Sequence, residues 1–196
     1  MSVRFGLLAL IAERPSGVYQ LRKQFEARTG GTWPLNIGQV YTTIQRLDRD
    51  GLVEVAGQED GVERYRLTDA GDAELARWWS GPVERGTPGR DELVIKLALA
   101  VSAPGVDVAG LVQAQRTESM RALRDYTRLK AQQSPDDDRD ELAWSLVLDS
   151  LIFAAEAEIR WLDHIEAAVV RASGEQVPVT EVPARVGGKR AARSRR

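Results

Sequence analysis

The chain has 196 residues, of which 43% are hydrophobic, enough for one or two small domains with a buried core. It has no cysteine, which excludes disulfides, thiolate metal sites and a thiol nucleophile. Its net charge of −2 excludes a globally positive surface, so any contact with nucleic acid has to depend on local geometry.

Three helices are predicted at the start of the chain. Apolar residues at helical spacing predict helices over residues 3–14 and 18–28, separated by a turn at Pro15-Ser16-Gly17. Asn36, followed three residues later by Gln39, forms a capping-box pattern for a third helix, which ends at Asp50-Gly51. The apolar run after Met1 is only about eight residues long, too short for a membrane span. We therefore expect a cytoplasmic protein without a membrane partner.

A hairpin and a fourth helix follow. Residues 52–55 and 62–67 alternate as strands do, and the turn between them is predicted over Gly57 to Gly61. Thr68-Asp69-Ala70-Gly71 begins a helix that runs to Trp79. The order of three helices, a hairpin and a helix predicts a winged helix-turn-helix over residues 1–80.

The rest of the chain is predicted to be helical. Residues 80–89 are rich in Gly and Pro and form the predicted linker. Helices are predicted over residues 90–101, 107–133 and 136–172, within a helical domain spanning residues 90–172. The last helix would be about 55 Å long, which favours packing against a partner chain. Residues 173–196 have no periodicity, carry most of their charge as Arg and Lys, and are predicted to be a disordered basic tail.

The third helix has an unusual polar face. One face carries Ile37, Val40, Ile44 and Leu47, which are expected to be buried. The opposite face carries small polar residues and one arginine: Gly38, Gln39, Thr42, Gln45 and Arg46, with Tyr41 and Thr43 at its edges.

Short amides and hydroxyls of this kind hydrogen-bond base edges in the major groove of DNA. A small residue such as Gly38 lets the start of the helix, with its free N–H groups, approach a phosphate closely. A solvated helix surface without a partner is the alternative, and the helical spacing alone does not decide between them.

Several stretches of the sequence resemble the PadR family of bacterial transcriptional regulators. The segment FGLLALIAERPSGVYQLRKQF resembles the opening of that family, and NIGQVYTTIQRLDRDGLVE resembles its recognition helix. The segment ERYRLTDAG resembles the second strand of the wing and the start of the next helix. Beyond the linker, RDELVIKLALA and EAEIRWLDHIEAAV resemble the longer subgroup, which has several C-terminal helices.

The resemblance implies a mainly α-helical fold: an N-terminal winged helix-turn-helix with a two-stranded β-hairpin wing, followed by an all-helical C-terminal dimerisation domain. It also implies a dimeric repressor that binds palindromic operator DNA and is released by a small molecule. Transferred to this chain, it puts Asn36, Gly38, Gln39, Tyr41, Thr42, Thr43 and Arg46 at the DNA, and Arg64 on the wing. The wing also carries Glu59, Asp60 and Glu63, which oppose phosphate binding; the basic tail could compensate or simply aid solubility.

The final helix carries an apolar stripe along its length. The stripe consists of Leu148, Leu151, Ile152, Ala155, Ile159, Leu162 and Ile165. Core packing combined with a homodimer seam is one interpretation. The other is a pocket for a small hydrophobic or aromatic effector, with Trp78, Trp144 and Trp161 as candidate walls. The sequence does not separate the two.

No pattern for catalysis, metal binding or a cofactor is present, and we expect no enzyme activity. The acidic run DDDRDE at 136–141 lacks the spacing of a calcium loop and suits a helix start. His164, the only histidine, is expected to be structural. The sequence thus favours a sequence-specific DNA-binding transcriptional regulator. The alternative is a winged-helix module for protein–protein interaction that binds no operator.

Overall fold

A computed structural model describes residues 3–133 and 139–174 of the chain. Their helices and strands are α1 (Val3–Glu13), α2 (Val18–Arg28), α3 (Ile37–Arg49), β1 (Val53–Glu59), β2 (Val62–Leu67), α4 (Asp69–Ser80), α5 (Glu92–Ala100), α6 (Val108–Ala131) and α7 (Arg139–Gly174). The mainly helical fold with a hairpin after the third helix is confirmed. The predicted basic tail from residue 175 onward, and residues 136–138 of the last predicted helix, lie outside the described residues.

The first domain has a core formed by its helices and the hairpin. From α3, the side chains of Val40, Ile44 and Leu47 are completely buried against α1 and α2, as their spacing predicts. The expected burial of Ile37 is wrong, because this side chain is 48% exposed. The first turn of α3 borders a surface cleft between α2 and the hairpin, so Ile37 lies beyond the core.

The hairpin is longer than predicted. Strands β1 and β2 are antiparallel, with Glu59 opposite Val62, so the turn consists of Asp60 and Gly61 alone. Both have positive φ, 53° and 76°, as a type I′ turn requires. The predicted turn starting at Gly57 is wrong, because Gly57 lies within β1 at a register irregularity of the kind that a bulge produces.

The hairpin is also hydrogen-bonded to the helix-turn-helix. The backbone N–H of Ser16 donates to the carbonyl oxygen of Tyr65, and that of Tyr65 donates to Ser16, both over 3.1 Å. Ser16 lies in the turn between α1 and α2 and is completely buried. This pair of bonds fixes the wing relative to the first two helices.

The C-terminal helices form an antiparallel hairpin of their own. Helix α5 packs on it through Leu97, which is buried together with Val112 and Leu162. Polar pairs across α6 and α7 run in opposite sequence directions: Gln113 with Glu166, Arg116 with Asp163, and Lys130 with Asp149. At about 1.5 Å per residue, the 36 residues of α7 span about 54 Å.

Helix α7 begins against the end of α2. The guanidinium of Arg28 donates two hydrogen bonds to the carboxylate of Glu13 on α1, over 2.5 and 2.7 Å, and one to Asp140 on α7, over 2.8 Å. The hydrogen bonds from Arg28 lower the pKa of the Glu13 carboxyl. Two residues beyond Arg28, Gly30 lies against the indole ring of Trp144. Residues 28–30 therefore join the first domain to α7.

The described residues show neither a membrane span nor a metal site. Among residues 3–133 and 139–174, no helix is long and apolar enough to cross a bilayer. The same residues contain no group of three or more His, Asp or Glu side chains arranged to hold a metal ion. Within the acidic run at 136–141, Asp140 forms an ion pair with Arg28, so its carboxylate has a structural role.

Candidate nucleic-acid interface

The start of α3 is fixed by a capping box. The side-chain Oδ1 of Asn36 accepts from the backbone N–H of Gln39 over 2.8 Å, and Oε1 of Gln39 accepts from the N–H of Asn36 over 3.1 Å. Both bonds satisfy donors that a helix start otherwise leaves open. The capping-box prediction is confirmed, and the two side chains are held at the tip of the helix.

Six of the predicted DNA-binding residues border one open cleft of about 410 Å³ on the surface, which we name the polar cleft. Its lining consists of Asn36, Gly38, Gln39, Thr42, Thr43 and Arg46 of α3 and its cap, with Val3 of α1. All six except the half-buried Thr43 are exposed. The spacing on α3 thus places these residues on one accessible surface.

The polar cleft offers a defined set of hydrogen-bonding groups. The hydroxyl of Thr43 donates its hydrogen to the carbonyl oxygen of Gln39 over 2.7 Å. The side chain of Thr43 therefore offers a partner only the hydroxyl oxygen, as an acceptor, and a methyl group. Thr42 is exposed and can both donate and accept. Arg46 has no ion pair within residues 3–133 and 139–174, whereas its neighbour Arg49 pairs with Asp50 over 3.0 Å. Arg46 is therefore the available cation of this surface.

A second cleft lies on the other side of the α3 start, with a volume of about 590 Å³, and we name it the apolar cleft. Its lining consists of Val18 and Tyr19 of α2, Ile37, Gly38 and Tyr41 of α3, and Gly61, Val62, Glu63 and Tyr65 of the hairpin. Gly38 borders both clefts. Of the predicted residues, Tyr41 lies here and is 51% exposed. Apart from Gly38 and Tyr41, the lining was not predicted from the sequence, although Tyr19, Val62 and Ile37 are all large apolar residues near predicted element ends.

The two arginines of β2 are held by carboxylates of the wing, and one of them also by α2. The guanidinium of Arg64 pairs with Glu59 and donates to Oε1 of Gln20 over 3.2 Å, and Arg66 binds Glu54 over 2.8 Å. The structure therefore does not bring Arg64 to the polar cleft. An arginine bound to a carboxylate attracts phosphate less, which agrees with the opposing charges noted in the sequence.

Tyr65 orders one of the carboxylates beside the apolar cleft. Its side chain is buried, and its hydroxyl donates to Oε2 of Glu63 over 2.7 Å. Burial and this bond raise the pKa of Tyr65 to about 12, so the hydroxyl stays protonated at neutral pH. The Tyr65 hydroxyl therefore holds the Glu63 carboxylate in place at the edge of the apolar cleft.

The three tryptophans proposed as effector walls lie in different environments. Trp78 of α4 stacks on Phe5 with ring centroids 5.3 Å apart, at the edge of the first core. Trp161 packs against the core of the C-terminal helices, and Trp144 lies against Gly30. They are not part of one common cluster.

Comparison with known proteins agrees with this architecture. Residues 7–77 match the transcriptional regulator PadR-like family, and residues 89–169 match the family described as virulence activator alpha C-term. The probable transcriptional regulator Rv1176c of Mycobacterium tuberculosis is 30% identical over an alignment of 186 residues, which covers 86% of this chain and 98% of that protein. The chain belongs to the PadR-like family of transcriptional regulators. The resemblance drawn from the sequence is confirmed.

Solved structures of bacterial regulators share the fold. The virulence activator AphA of Vibrio cholerae has a TM-score of 0.66 at 23% identity, covering 87% of this chain and 99% of AphA. Bacillus subtilis PadR in complex with operator DNA has a TM-score of 0.64 at 20% identity, covering 85% and 98%. The same PadR in complex with p-coumaric acid has a TM-score of 0.66 at 22% identity, covering 86% and 98%.

Membership in this family decides between the two hypotheses from the sequence. PadR-like proteins are transcriptional regulators and not enzymes, which confirms the expectation of no enzyme activity. The chain is a DNA-binding transcription regulator, and the alternative of a winged helix that serves only protein docking is not favoured.

Proposed function

We propose that the protein is a dimeric, sequence-specific repressor that binds operator DNA through the polar cleft and is released by a small-molecule effector. The observation that carries the proposal is the polar cleft itself: the guanidinium of Arg46 lies on the same face as exposed amide and hydroxyl groups from the N-terminal half of the second helix of a helix-turn-helix. In this motif, that part of the helix contacts base edges in the major groove. B. subtilis PadR, which has the same fold, has been solved with its operator DNA.

Each residue of the polar cleft has a role suited to its chemistry. Thr42 and Gln39 would contact base edges, and Arg46, as the unpaired cation, would bind a guanine edge or a phosphate. Asn36 and Gly38 would hold the start of α3 close to the DNA backbone. The Tyr41 hydroxyl would reach a DNA phosphate from the rim of the apolar cleft. Arg64 would bind DNA only by exchanging Glu59 for a phosphate, so we assign it the smaller contribution. We also propose a cytoplasmic location, since the regulator acts on chromosomal DNA.

The DNA contact can be tested with two arginines of the same helix. We expect Arg46→Ala to weaken binding to the operator by about 1–3 kcal/mol, because it removes the cation of the polar cleft. Arg49→Ala is the matched control, since Arg49 is exposed but neutralised by Asp50, and it should change the affinity by less than about twofold. Fluorescence anisotropy with DNA from upstream of the gene, titrated with salt, measures both.

The same titration tests the proposed function as a whole. A sequence-specific regulator has to prefer its operator over an unrelated duplex and to lose affinity steeply as salt rises. Equal and weak binding to both duplexes would contradict operator recognition. An Arg46→Ala variant with unchanged affinity would instead remove the polar cleft from the interface.

Dimerisation is proposed through an exposed stripe on α7. Leu148 and Leu162 belong to the apolar stripe for which the sequence left a core with a dimer seam and an effector pocket open, and both are completely buried within the chain. Leu142, Leu146 and Phe153 are exposed and share another face of α7, since they are four and seven residues apart. Large exposed apolar residues in such a row suit a second copy of the same helix.

We therefore expect the double variant Leu146→Glu with Phe153→Glu to be monomeric, because two carboxylates would be desolvated in the proposed interface. Val83→Glu provides the matched control, since this valine is exposed in the segment between α4 and α5 and should leave the dimer intact. Sedimentation velocity distinguishes the two masses. A double variant that sediments as the wild-type dimer would place the interface elsewhere.

For the effector, we propose a small hydrophobic or aromatic molecule that acts where α7 meets the DNA-binding domain. Of the three candidate tryptophans, Trp144 lies at that junction, whereas Trp78 and Trp161 pack against the two separate cores. B. subtilis PadR has been solved with p-coumaric acid, which supports an aromatic ligand in this fold. A molecule that inserts beside Trp144 would shift α7 relative to Gly30 and thereby move the recognition helix.

A further inference from the structure

The apolar cleft is an exposed apolar surface next to the proposed DNA-binding surface. Its rim carries four large apolar side chains that are about half exposed or more: Tyr19, Ile37, Tyr41 and Val62. Exposed apolar groups gathered in one place indicate a surface that is covered by a partner. The polar cleft, described above, does not account for this surface.

The position of the apolar cleft points to the same DNA as its occupant. Ile37 is the first residue of α3, and Tyr41 follows one turn later on the same side. Gly38 borders both clefts, so DNA that approaches the polar cleft meets Ile37 directly beside it. Residues at this end of a recognition helix contact base edges in the major groove.

The chemistry of the lining selects one group on the DNA. Within the described part of the chain, no basic residue lines the cleft, and the carboxylate of Glu63 borders it, so the cleft does not suit a phosphate. The apolar group that the major groove presents is the C5-methyl of thymine. Building on the proposed function, we infer that Ile37 and the aromatic ring of Tyr41 bind the methyl group of a thymine in each operator half-site, while the Tyr41 hydroxyl at the rim stays available for a phosphate. This contact makes the protein distinguish thymine from cytosine at that position without a hydrogen bond.

Replacing operator thymines by deoxyuridine tests the contact, because this change removes the methyl group and leaves every hydrogen-bonding group in place. Each thymine is replaced in turn, and the affinity of each duplex is measured by anisotropy. For the wild-type protein, we expect one position per half-site at which the replacement weakens binding about fourfold, the value of one buried methyl group. For Ile37→Ala, the thymine and deoxyuridine duplexes should bind equally at that position.

Val55→Ala is the matched control. Val55 is an exposed aliphatic residue on β1 that borders neither cleft, so its variant should keep the fourfold preference for thymine. Circular dichroism of the Ile37→Ala variant should be unchanged, because the side chain lies outside the core. Ile37→Val, which keeps a branched apolar side chain, should retain part of the preference.

Three results would overturn the inference while leaving operator binding in place. They are the absence of any deoxyuridine effect in the wild type, an effect that persists in Ile37→Ala, and a loss of self-association of Ile37→Ala in sedimentation velocity. The last would mean that a second copy of the chain covers the apolar cleft. A wild-type protein that prefers no duplex over another would overturn the proposed function and this inference together.

Discussion

Replacing Gly71 by alanine is expected to lower the free energy of unfolding by at least about 3 kcal/mol, the upper part of the range for overpacked sites. Gly71 lies buried in the first turn of α4. A Cβ there would overlap with the carbonyl oxygen of Leu52 and would lie 3.0 Å from its carbonyl carbon. Because the obstacle is backbone, no side-chain rotation relieves it.

The carbonyl group of Leu52 also takes part in the hydrogen bonds that join the start of α4 to the turn after α3. The carbonyl oxygen of Leu52 accepts from the backbone N–H of Thr68 over 3.1 Å, and the Thr68 hydroxyl accepts from the N–H of Gly71 over 3.1 Å. Moving Leu52 away from a new methyl group would stretch these bonds at the point where β1 begins. The variant should therefore weaken the attachment of the wing as well as the helix cap.

Gly89→Ala serves as the control for this prediction, because a Cβ at Gly89 would meet no heavy atom of the described residues within 4 Å. Helix propensity alone would make alanine better than glycine by about 1 kcal/mol at position 71, which is the opposite sign from the expected effect. Urea unfolding followed by circular dichroism measures both variants. An unchanged midpoint for Gly71→Ala would mean that the first turn of α4 can move without cost.

Replacing Gly30 by alanine is expected to disturb the junction between the DNA-binding domain and α7. Gly30 has φ of +56°, which costs an alanine about 1–2 kcal/mol, and its new Cβ would overlap with the ring of Trp144. Gly31 is the matched control: its φ of +68° carries the same backbone cost, but no atom of residues 3–133 and 139–174 lies within 4 Å of the Cβ position. The difference between the two variants therefore isolates the contact with Trp144.

We expect Gly30→Ala to be destabilised by about 1–3 kcal/mol more than Gly31→Ala, as overpacking against a large ring predicts. Adding Trp144→Ala to Gly30→Ala should recover most of this difference, because the new methyl group then has room. Such non-additivity of the two stability changes indicates a direct contact between the residues. Chemical unfolding gives the stabilities, and operator anisotropy shows whether the junction affects DNA binding. Equal losses for the two glycine variants would argue against a close approach of Trp144.

Local signals in the sequence predicted most of the first domain. The bounds of α3 followed from the Asn36 and Gln39 capping box and from Gly51, whose φ of 71° provides the left-handed stop. These signals depend only on residues close together in the sequence, so they can be recognised without knowledge of the fold. The polar face of α3 was predictable for the same reason, since helical spacing alone brings its side chains to one cleft.

Features set by the rest of the fold could not be predicted in this way. Ile37 has the spacing of a core residue, but whether it is buried depends on where α2 and the wing end. Gly57 was assigned to the turn because glycine occurs both in turns and in bulges, and only the strand register separates them. The engagement of Arg64 by Glu59 and Gln20 depends on contacts across the hairpin and with α2.

The junction between α2 and α7 determines how much work is needed to reorient the recognition helix. Residues 81–91 form no helix or strand, so the peptide link between the two domains does not by itself set their angle. The angle is supported by the ion pair of Arg28 with Asp140 and by the contact of Gly30 with one indole ring. A partly exposed ion pair contributes about 0–1 kcal/mol, less than the binding energy of a micromolar ligand, about 8 kcal/mol. Under the proposed function, only the difference between a ligand's affinities for two arrangements of the junction can change the angle, and a tenfold preference, about 1.4 kcal/mol, would exceed the contribution of this ion pair. By thermodynamic reciprocity, bound DNA would then change the affinity for that ligand by the same factor.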